Sequence, residues 1–169
     1  MTHTVIIYCS KTGFSQRYAQ WLAEDTGAEI LPYQKRGALH LDAFDTIILV
    51  GGLYAGTMRG LPWLKKQQLA GKRAAAVAVG ASPADSPELA QTMEKLFAGQ
   101  TQIRSFYCRG GLDYARMGAV DRAMMAGMRA MLRRQGQEEA LRLVSVSFDA
   151  VRRENLAEIE RWLKECSGE

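Results

Sequence analysis

The stretch Ser10-Lys11-Thr12-Gly13-Phe14-Ser15 follows a short apolar run, Val5–Cys9, and precedes an amphipathic segment, residues 16–24. Three hydroxyls and a glycine therefore lie between a predicted strand and a predicted helix, where α/β proteins commonly hold a phosphate. The start of a helix offers free N–H groups and the positive end of the helix dipole. Gly13 can take a backbone conformation that turns neighbouring amides inward. The stretch therefore predicts a site for a phosphorylated cofactor.

Around this loop, apolar runs that predict strands alternate with amphipathic segments that predict helices. The predicted strands are Val5–Cys9, Glu29–Pro32, Asp45–Val50, Lys72–Val79 and Gln102–Cys108. The predicted helices are Ser15–Asp25, Leu61–Leu69, Pro87–Phe97, Gly118–Arg134 and Asn155–Cys166. This order predicts a single α/β domain over residues 1–169, with a parallel sheet covered on both faces. Ligands of such sheets bind at the carboxyl ends of the strands, here near Gly51, Gly80 and Gly110.

The composition is typical of a globular protein. Hydrophobic residues make up 47% of the 169 residues, and no apolar run is long enough to cross a bilayer. The chain starts directly with a predicted strand, so we expect no signal peptide. Cys9, Cys108 and Cys166 are far apart and odd in number, which predicts neither a disulfide framework nor a metal site. We therefore expect a cytoplasmic protein.

Three common phosphate-binding patterns do not occur in the first turn. It has neither the dinucleotide fingerprint G-x-G-x-x-G nor the P-loop pattern G-x-x-x-x-G-K-S/T. This argues against a Rossmann dehydrogenase and against a nucleotide hydrolase. A cysteine-dependent phosphatase with Cys9 as nucleophile would need an arginine where Ser15 stands, and Arg17 comes two residues too late. We interpret Cys9 as a buried thiol at the end of a strand.

The remaining pattern, S-x-T-G-x-S, resembles the FMN phosphate loop of the flavodoxin family, S/T-x-S/T-G-x-S/T. Val50–Met58 resembles the family's loop after the third strand, which lines the isoalloxazine ring, and Gly80-Ala81-Ser82-Pro83 matches its third ligand loop. The resemblance implies FMN as cofactor and a flavodoxin-like five-stranded parallel sheet of order 2-1-3-4-5, with helices on both faces. The cofactor-binding residues that it implies are Ser10, Lys11, Thr12, Gly13, Phe14, Ser15, Leu53, Tyr54, Ala55, Gly56, Gly80, Ala81 and Ser82.

Each of these three elements has a plainer alternative. The hydroxyl loop could serve only as a helix cap, Tyr54 could be a surface turn residue, and residues 80–82 could be an ordinary loop. Phe14 also departs from the asparagine that is common at this position in the family. Any phosphate contact by its backbone N–H is unaffected, whereas a side-chain contact is not carried over.

The segment Cys108–Met125 resembles the G-x-L-x-Y stretch and D-R-x-M helix of menaquinone-dependent protoporphyrinogen oxidases, which are flavodoxin-like FMN enzymes. The matching positions are Gly110 or Gly111, Leu112, Tyr114, Asp121, Arg122, and Met124 or Met125. The resemblance implies an oxidoreductase that passes hydride or electrons from a small substrate through FMN to a quinone-type acceptor. A porphyrinogen carries carboxylates, which guanidinium groups bind well, so we expect Arg59, Arg109 and Arg116 to bind the substrate. Tyr114 is added as a substrate-binding residue from its place in the matching segment.

The positive net charge of the chain affects which redox role a bound FMN could have. The net charge is +4, and guanidinium groups near FMN would stabilise its anionic reduced form. This disfavours a very low-potential electron shuttle.

The alternatives to an enzyme are a flavodoxin-type electron carrier that serves a redox partner protein, and an interaction module that has lost its flavin. We expect no general acid or base among the histidines, because His3 is terminal and His40 precedes the third strand.

The helix predicted for Gly118–Arg134 interleaves methionines with arginines. Methionines at this spacing are expected to cover the sheet while the arginines face water. The alternative is that this helix contacts a partner or an anionic membrane that carries the quinone. In the second case the protein would be peripheral to the inner face of the membrane. We expect no nucleic-acid partner.

Overall fold

The computed structural model describes residues 3–165. Its strands are β1 (Thr4–Cys9), β2 (Glu29–Pro32), β3 (Thr46–Tyr54), β4 (Thr57–Met58), β5 (Arg73–Gly80), β6 (Ile103–Arg109), β7 (Gly111–Leu112) and β8 (Phe148–Asp149). Its α-helices are α1 (Phe14–Thr26), α2 (Leu61–Leu64), α3 (Pro87–Phe97), α4 (Ala119–Arg134), α5 (Glu138–Ser145) and α6 (Ala157–Lys164). Cys166, the predicted end of the last helix, lies outside the described residues.

Five strands form the parallel sheet that the sequence predicts. They lie in the order β2-β1-β3-β5-β6, and neighbouring strands pair in parallel. Because β5 and β6 are the fourth and fifth strands of this path, the predicted order 2-1-3-4-5 is confirmed. β4 adds a short antiparallel hairpin to the end of β3. The flavodoxin-like α/β fold is therefore the fold of this chain.

Helices cover both faces of the sheet, because successive side chains of a strand point to opposite sides. On one face, Ile7 of β1 belongs to a buried cluster with Leu64 of α2. On the other, Ile6 belongs to a cluster with Leu22 of α1 and Ile159 of α6. Each fully buried aliphatic side chain contributes about 1.5–3 kcal/mol to folding. This core fixes the strand ends from which the ligand loops emerge.

The helix predicted for Leu61–Leu69 is wrong in its second half. The α-helix ends at Leu64, and the chain then turns so that Leu69 reaches the core. Gly71, with a φ of +74°, precedes the start of β5 at Arg73. Because the chain turns after α2 to bury Leu69 in this core cluster, the helix does not continue up to that residue.

The segment from 113 to 147 is inserted at the carboxyl edge of the sheet. Its ends are held together by the antiparallel pair β7 and β8, in which Gly111 faces Asp149 and Leu112 faces Phe148. The segment contains α4 and also α5, a helix that the sequence pattern did not predict. The two helices pack on each other, so α5 depends on a tertiary partner rather than on a strong local signal.

The prediction that the methionines of α4 cover the sheet is wrong. Met125 is buried, but Met128 and Met131 are 43% and 50% exposed. The physical reason is that α1, α2, α3 and α6 already occupy both faces of the sheet, so that the inserted α4 lies outside these layers. No helix within residues 3–165 combines the length and the apolar character that crossing a bilayer requires.

Candidate functional site

The three predicted ligand loops meet at the carboxyl edge of the sheet. At the strand ends, Cys9 pairs with Gly51 and Gly80 pairs with Arg109. The N–H of Gly110 donates to the carbonyl oxygen of Gly80 at 2.7 Å, which ties the ends of β5 and β6 together. The loop after β1, the β3–β4 hairpin and the loop after β5 are therefore neighbours, as the parallel topology requires.

The hydroxyl loop has the geometry of an anion site. Gly13 is left-handed, with a φ of +96°, and stands immediately before α1. Its N–H donates to Ser10 Oγ at 3.0 Å, which closes the loop. Gly13, the residue that precedes α1, supplies no side-chain cap, and the N–H groups of a helix's first turn have no partner within the helix. Ser15, in that first turn, is buried. A phosphate group fits this arrangement of amides and hydroxyls.

Phe14 contributes to the loop only through its backbone. Its side chain packs against the core cluster beneath α1. A Cβ placed on Gly111 would stand 3.1 Å from Phe14 Cζ, and one on Gly110 would stand 3.3 Å from Phe14 Cβ. The Phe14 ring therefore packs between α1 and the glycines that follow β6. This packing explains why an apolar residue occurs in the hydroxyl-rich loop.

The β3–β4 hairpin places Tyr54 beside the hydroxyl loop. Ala55 and Gly56 form its two-residue turn, both left-handed with φ of +47° and +74°, as in the type I′ turns that connect tight hairpins. A left-handed conformation costs alanine about 1–2 kcal/mol. Such strain is concentrated at functional sites, where the surrounding structure holds it in place.

The loop after β5 is held by two side chains of β6. Tyr107 donates its hydroxyl hydrogen to the carbonyl oxygen of Ser82 at 2.7 Å, and Arg109 Nε donates to that of Ala81 at 3.3 Å. A Cβ on Gly80 would stand 3.4 Å from Leu53 Cβ and 3.0 Å from the Tyr107 hydroxyl. Glycine at position 80 thus permits the close approach of this loop to the hairpin.

A polar cluster of Lys11, Tyr54 and Asp121 joins the hydroxyl loop, the hairpin and α4. Lys11 Nζ lies 3.0 Å and 3.1 Å from the two carboxylate oxygens of Asp121, and the Tyr54 hydroxyl donates to Asp121 Oδ1 at 2.7 Å. Lys11 Nζ also stands 4.9 Å from the centre of the Tyr54 ring. Lys11 and Tyr54 are predicted site residues, whereas Asp121 has no predicted role beyond its place in the D-R-x-M match.

The cluster fixes the charge state of its carboxylate. The hydrogen bond from Tyr54 and that from Lys11 hold the pKa of Asp121 below its usual range, and the charge of Arg59 acts in the same direction. Burial and the neighbouring Asp121 raise the pKa of Tyr54. At neutral pH Asp121 is therefore an ionised carboxylate and Tyr54 a neutral phenol.

The four predicted substrate residues lie in different surroundings. Arg116 Nη1 donates to the carbonyl oxygen of Thr12 at 3.3 Å and so lies over the hydroxyl loop. Arg59 is exposed on the segment that follows β4. Arg109 is bonded to the loop after β5, and its guanidinium carbon stands 5.2 Å from the centre of the Phe148 ring.

Tyr114 holds the inserted segment together. Its hydroxyl donates to the carbonyl oxygen of Val144 and accepts from Arg129 Nη1 at 2.7 Å. Its carbonyl oxygen accepts from Arg122 Nε at 3.0 Å. These bonds connect α4 and α5 to the end of β7. A contact between Tyr114 and a substrate stays a prediction from the sequence.

Neither described cysteine is a nucleophile. Cys9 and Cys108 are both buried, and burial raises the pKa of the Cys9 thiol to about 11 and that of Cys108 to about 12. Both thiols are therefore protonated at neutral pH, whereas nucleophilic attack requires the thiolate. A phosphatase that uses Cys9 is incompatible with this environment.

Comparison with solved structures gives likenesses of low sequence identity. A flavoprotein in complex with FMN from Lactobacillus acidophilus NCFM has 10% identity and a TM-score of 0.43, covering 64% of this chain and 93% of its own. The Trp repressor binding protein from Bacillus subtilis has 20% identity and a TM-score of 0.46, covering 83% and 96%. The flavodoxin of Streptococcus pneumonia TIGR4 has 17% identity and a TM-score of 0.43, covering 63% and 81%. Because these TM-scores lie below 0.5, we draw nothing further from them.

Comparison with protein-family models identifies the family of this chain. No curated relative matches it. The family model described as a flavodoxin domain, however, matches residues 5–139, which include the hydroxyl loop, the β3–β4 hairpin, the loop after β5 and most of the inserted segment. With the sheet order and the loop geometry described above, this match shows that the chain belongs to the flavodoxin domain family.

Proposed function

We propose that the protein is an FMN-dependent oxidoreductase of the protoporphyrinogen oxidase-like branch of the flavodoxin family. It would pass hydride or electrons from a small anionic substrate to a quinone-type acceptor. The observation that carries the proposal is the hydroxyl loop, with left-handed Gly13 at the start of α1 and with Lys11 Nζ 4.9 Å from the centre of the Tyr54 ring. The matched flavodoxin domain includes both elements.

The residues at the sheet edge fit FMN in chemical type. The first-turn N–H groups of α1 and the hydroxyls of Thr12 and Ser15 would hold the phosphate, while Ser10 keeps the loop closed by accepting from Gly13. Leu53 and Tyr54 offer an apolar and an aromatic surface to the flavin ring. When bound, FMN supplies the group that accepts a hydride or an electron pair, and the protein binds and tunes it.

The charges around the site favour an enzyme over a low-potential carrier. Three cations surround this region. Lys11 belongs to the hydroxyl loop and pairs with Asp121, Arg116 donates to the carbonyl oxygen of Thr12 in that loop, and the charge of Arg59 acts on Asp121. Positive charge at this position favours an anionic reduced cofactor and attracts an anionic substrate. Exposed guanidinium groups such as those of Arg59 and Arg116 suit the carboxylates of a porphyrinogen. We assign no catalytic acid or base, and the chain's task is to bind, orient and tune.

Two measurements test this function in sequence. The absorbance spectrum of the purified protein, with and without added FMN, should show a stoichiometric bound flavin. Turnover of protoporphyrinogen with a menaquinone analogue should then proceed without a protein reductase. Failure to bind FMN after reconstitution would leave the interaction module as the function. Bound FMN that is reduced only by a reductase partner, with no turnover of the small substrate, would make the protein an electron carrier.

The exposed side of α4 supports a membrane as the place where the acceptor is met. Val120, Met124, Met128 and Met131 form an exposed apolar stripe along the helix, and Arg133 and Arg134 follow at its end. Apolar insertion together with basic side chains binds anionic lipid surfaces. The protein is accordingly proposed to be cytoplasmic and peripheral to the inner face of the membrane.

Vesicle co-sedimentation checks this membrane contact. Wild-type protein should sediment with anionic vesicles and less with zwitterionic ones, and a Met128→Glu, Met131→Glu variant should remain in solution. Both side chains are exposed, so these changes should leave the fold intact, which circular dichroism would verify. Equal sedimentation of the variant and the wild-type protein would sink the idea.

A further inference from the structure

Asp121 connects the two loops on which the proposed cofactor site depends. Its carboxylate accepts hydrogen bonds from Lys11, in the hydroxyl loop, and from Tyr54, in the hairpin. The Asp121 side chain is only 14% exposed, whereas that of Lys11 is 46% exposed. A partly buried carboxylate with two donors is a specific contact rather than a fluctuating surface pair.

The turn of α4 that presents Asp121 is itself fixed. Arg122, the next residue, donates through Nε to the carbonyl oxygen of Tyr114 at 3.0 Å. Met124, one turn further along, has its sulfur 3.7 Å from the Tyr54 hydroxyl. The start of α4 is therefore held both to the segment after β7 and to the hairpin, and Asp121 stands between these two attachments.

We propose that Asp121 is a positioning residue of the cofactor site. Its carboxylate holds the Tyr54 ring in the orientation that receives the flavin, keeps Lys11 at the phosphate loop, and makes the first turn of α4 a wall of the site. This inference rests on the proposed FMN function and assigns the inserted segment a direct part in it.

The same carboxylate tunes the cofactor electrostatically. Asp121 is a fixed negative charge within a group of cations that includes Lys11 and Arg59. A negative charge opposes the formation of anionic reduced flavin, and the cations favour it. Asp121 therefore offsets part of the positive potential at the ring, and removing its charge should make the flavin easier to reduce.

FMN titration followed by flavin fluorescence tests the positioning role. Asp121→Ala should bind FMN about three- to tenfold more weakly, because Tyr54 must then be ordered on binding. Asp121→Asn keeps an acceptor for the Tyr54 hydroxyl and should stay within about twofold of wild type. Tyr54→Phe combined with Asp121→Ala should cost little more than Asp121→Ala alone, because Asp121→Ala already breaks the contact that Tyr54→Phe removes. Glu94→Gln, an exposed carboxylate-to-amide change on α3, is the matched control.

The midpoint potential of bound FMN tests the electrostatic role, which a purely structural residue would not have. Asp121→Asn should shift the potential to more positive values, and Glu94→Gln should leave it unchanged. A shift of the potential in the negative direction, or FMN affinity of Asp121→Ala equal to wild type, would overturn the proposal.

A titration without cofactor separates failure of this inference from failure of the proposed function. Within residues 3–165, the charged groups that contact Tyr54 are Lys11 and Asp121, and burial and then the Asp121 carboxylate raise the pKa of the phenol. Asp121→Asn should therefore lower the pKa of one tyrosine, seen in phenolate absorbance, and the Tyr54→Phe background should abolish this difference. If wild type binds no FMN but the tyrosine responds, the contact stands and the function falls. If FMN binds but no tyrosine responds, the contact falls alone.

Discussion

A Thr12→Ala, Ser15→Ala variant should bind FMN at least about a hundredfold more weakly than the wild-type protein. Both hydroxyls belong to the loop whose left-handed glycine opens α1, and each is expected to donate to the phosphate. A hydrogen bond to a charged group contributes about 1.5–3 kcal/mol. Two such bonds therefore amount to about 3 kcal/mol or more, and each 1.4 kcal/mol is a factor of ten in affinity.

The controls for this variant separate a lost phosphate contact from a lost fold. Thr12→Ser keeps the hydroxyl and should keep the affinity. Thr92→Ala, Ser145→Ala removes two hydroxyls that bond carbonyl oxygens of their own helices, those of Glu88 and Leu141. That pair should bind FMN normally. Isothermal titration calorimetry measures the affinities, and thermal unfolding without FMN shows whether the double variant is folded. Unaltered FMN affinity in Thr12→Ala, Ser15→Ala would refute the phosphate assignment.

Gly51→Ala should destabilise the protein by about 3 kcal/mol, whereas Gly52→Ala should be nearly neutral. A Cβ on Gly51 would stand 2.3 Å from the backbone carbonyl oxygen of Arg59, and a Cβ on Gly52 would meet nothing within 4 Å. Gly51 cannot move aside, because it lies in the middle of the sheet between Cys9 of β1 and Ala78 of β5. Forcing extra volume into such a site costs about 1–3 kcal/mol, occasionally more.

Urea unfolding and thermal melts measure this difference. For a chain of this size, about 3 kcal/mol corresponds to a fall of about 6–12 °C in Tm. The two variants introduce the same methyl group at adjacent positions, so their difference isolates the clash with Arg59. Equal stability of Gly51→Ala and Gly52→Ala would show that the segment after β4 can retreat from β3 without cost.

These two glycines show how far the pattern alone could go. The resemblance of Val50–Met58 to a ring-lining loop places both glycines near the carboxyl ends of the strands, and the structure has them in the last part of β3. Only the packing distinguishes Gly51, which lets the Arg59 backbone approach, from Gly52, which has open space. Close approach of two backbones depends on segments eight residues apart in sequence, and no local pattern records it.

The surroundings of the inserted segment, like those of the two glycines, could not be predicted from the sequence. Its methionine and arginine spacing correctly predicted the helix α4 but not the environment of that helix. An amphipathic stripe packs on a sheet when a sheet face is free, and here four other helices cover both faces. The contact of Asp121 with Lys11 cannot be predicted from a local pattern either, because the two residues lie 110 positions apart in the chain.

The parallel sheet and the position of the hydroxyl loop at its carboxyl edge can both be predicted from the residue pattern. Both depend on short-range signals: apolar runs of strand length, helical periodicity and a glycine at the turn into α1. Only the folded structure shows that α4 contacts the hairpin, that Phe14 packs inward, and that Asp121 joins Lys11 to Tyr54. Such contacts follow from which surfaces remain uncovered once the core has formed, and the hydroxyl loop acquires its carboxylate neighbour only when the chain has folded around it.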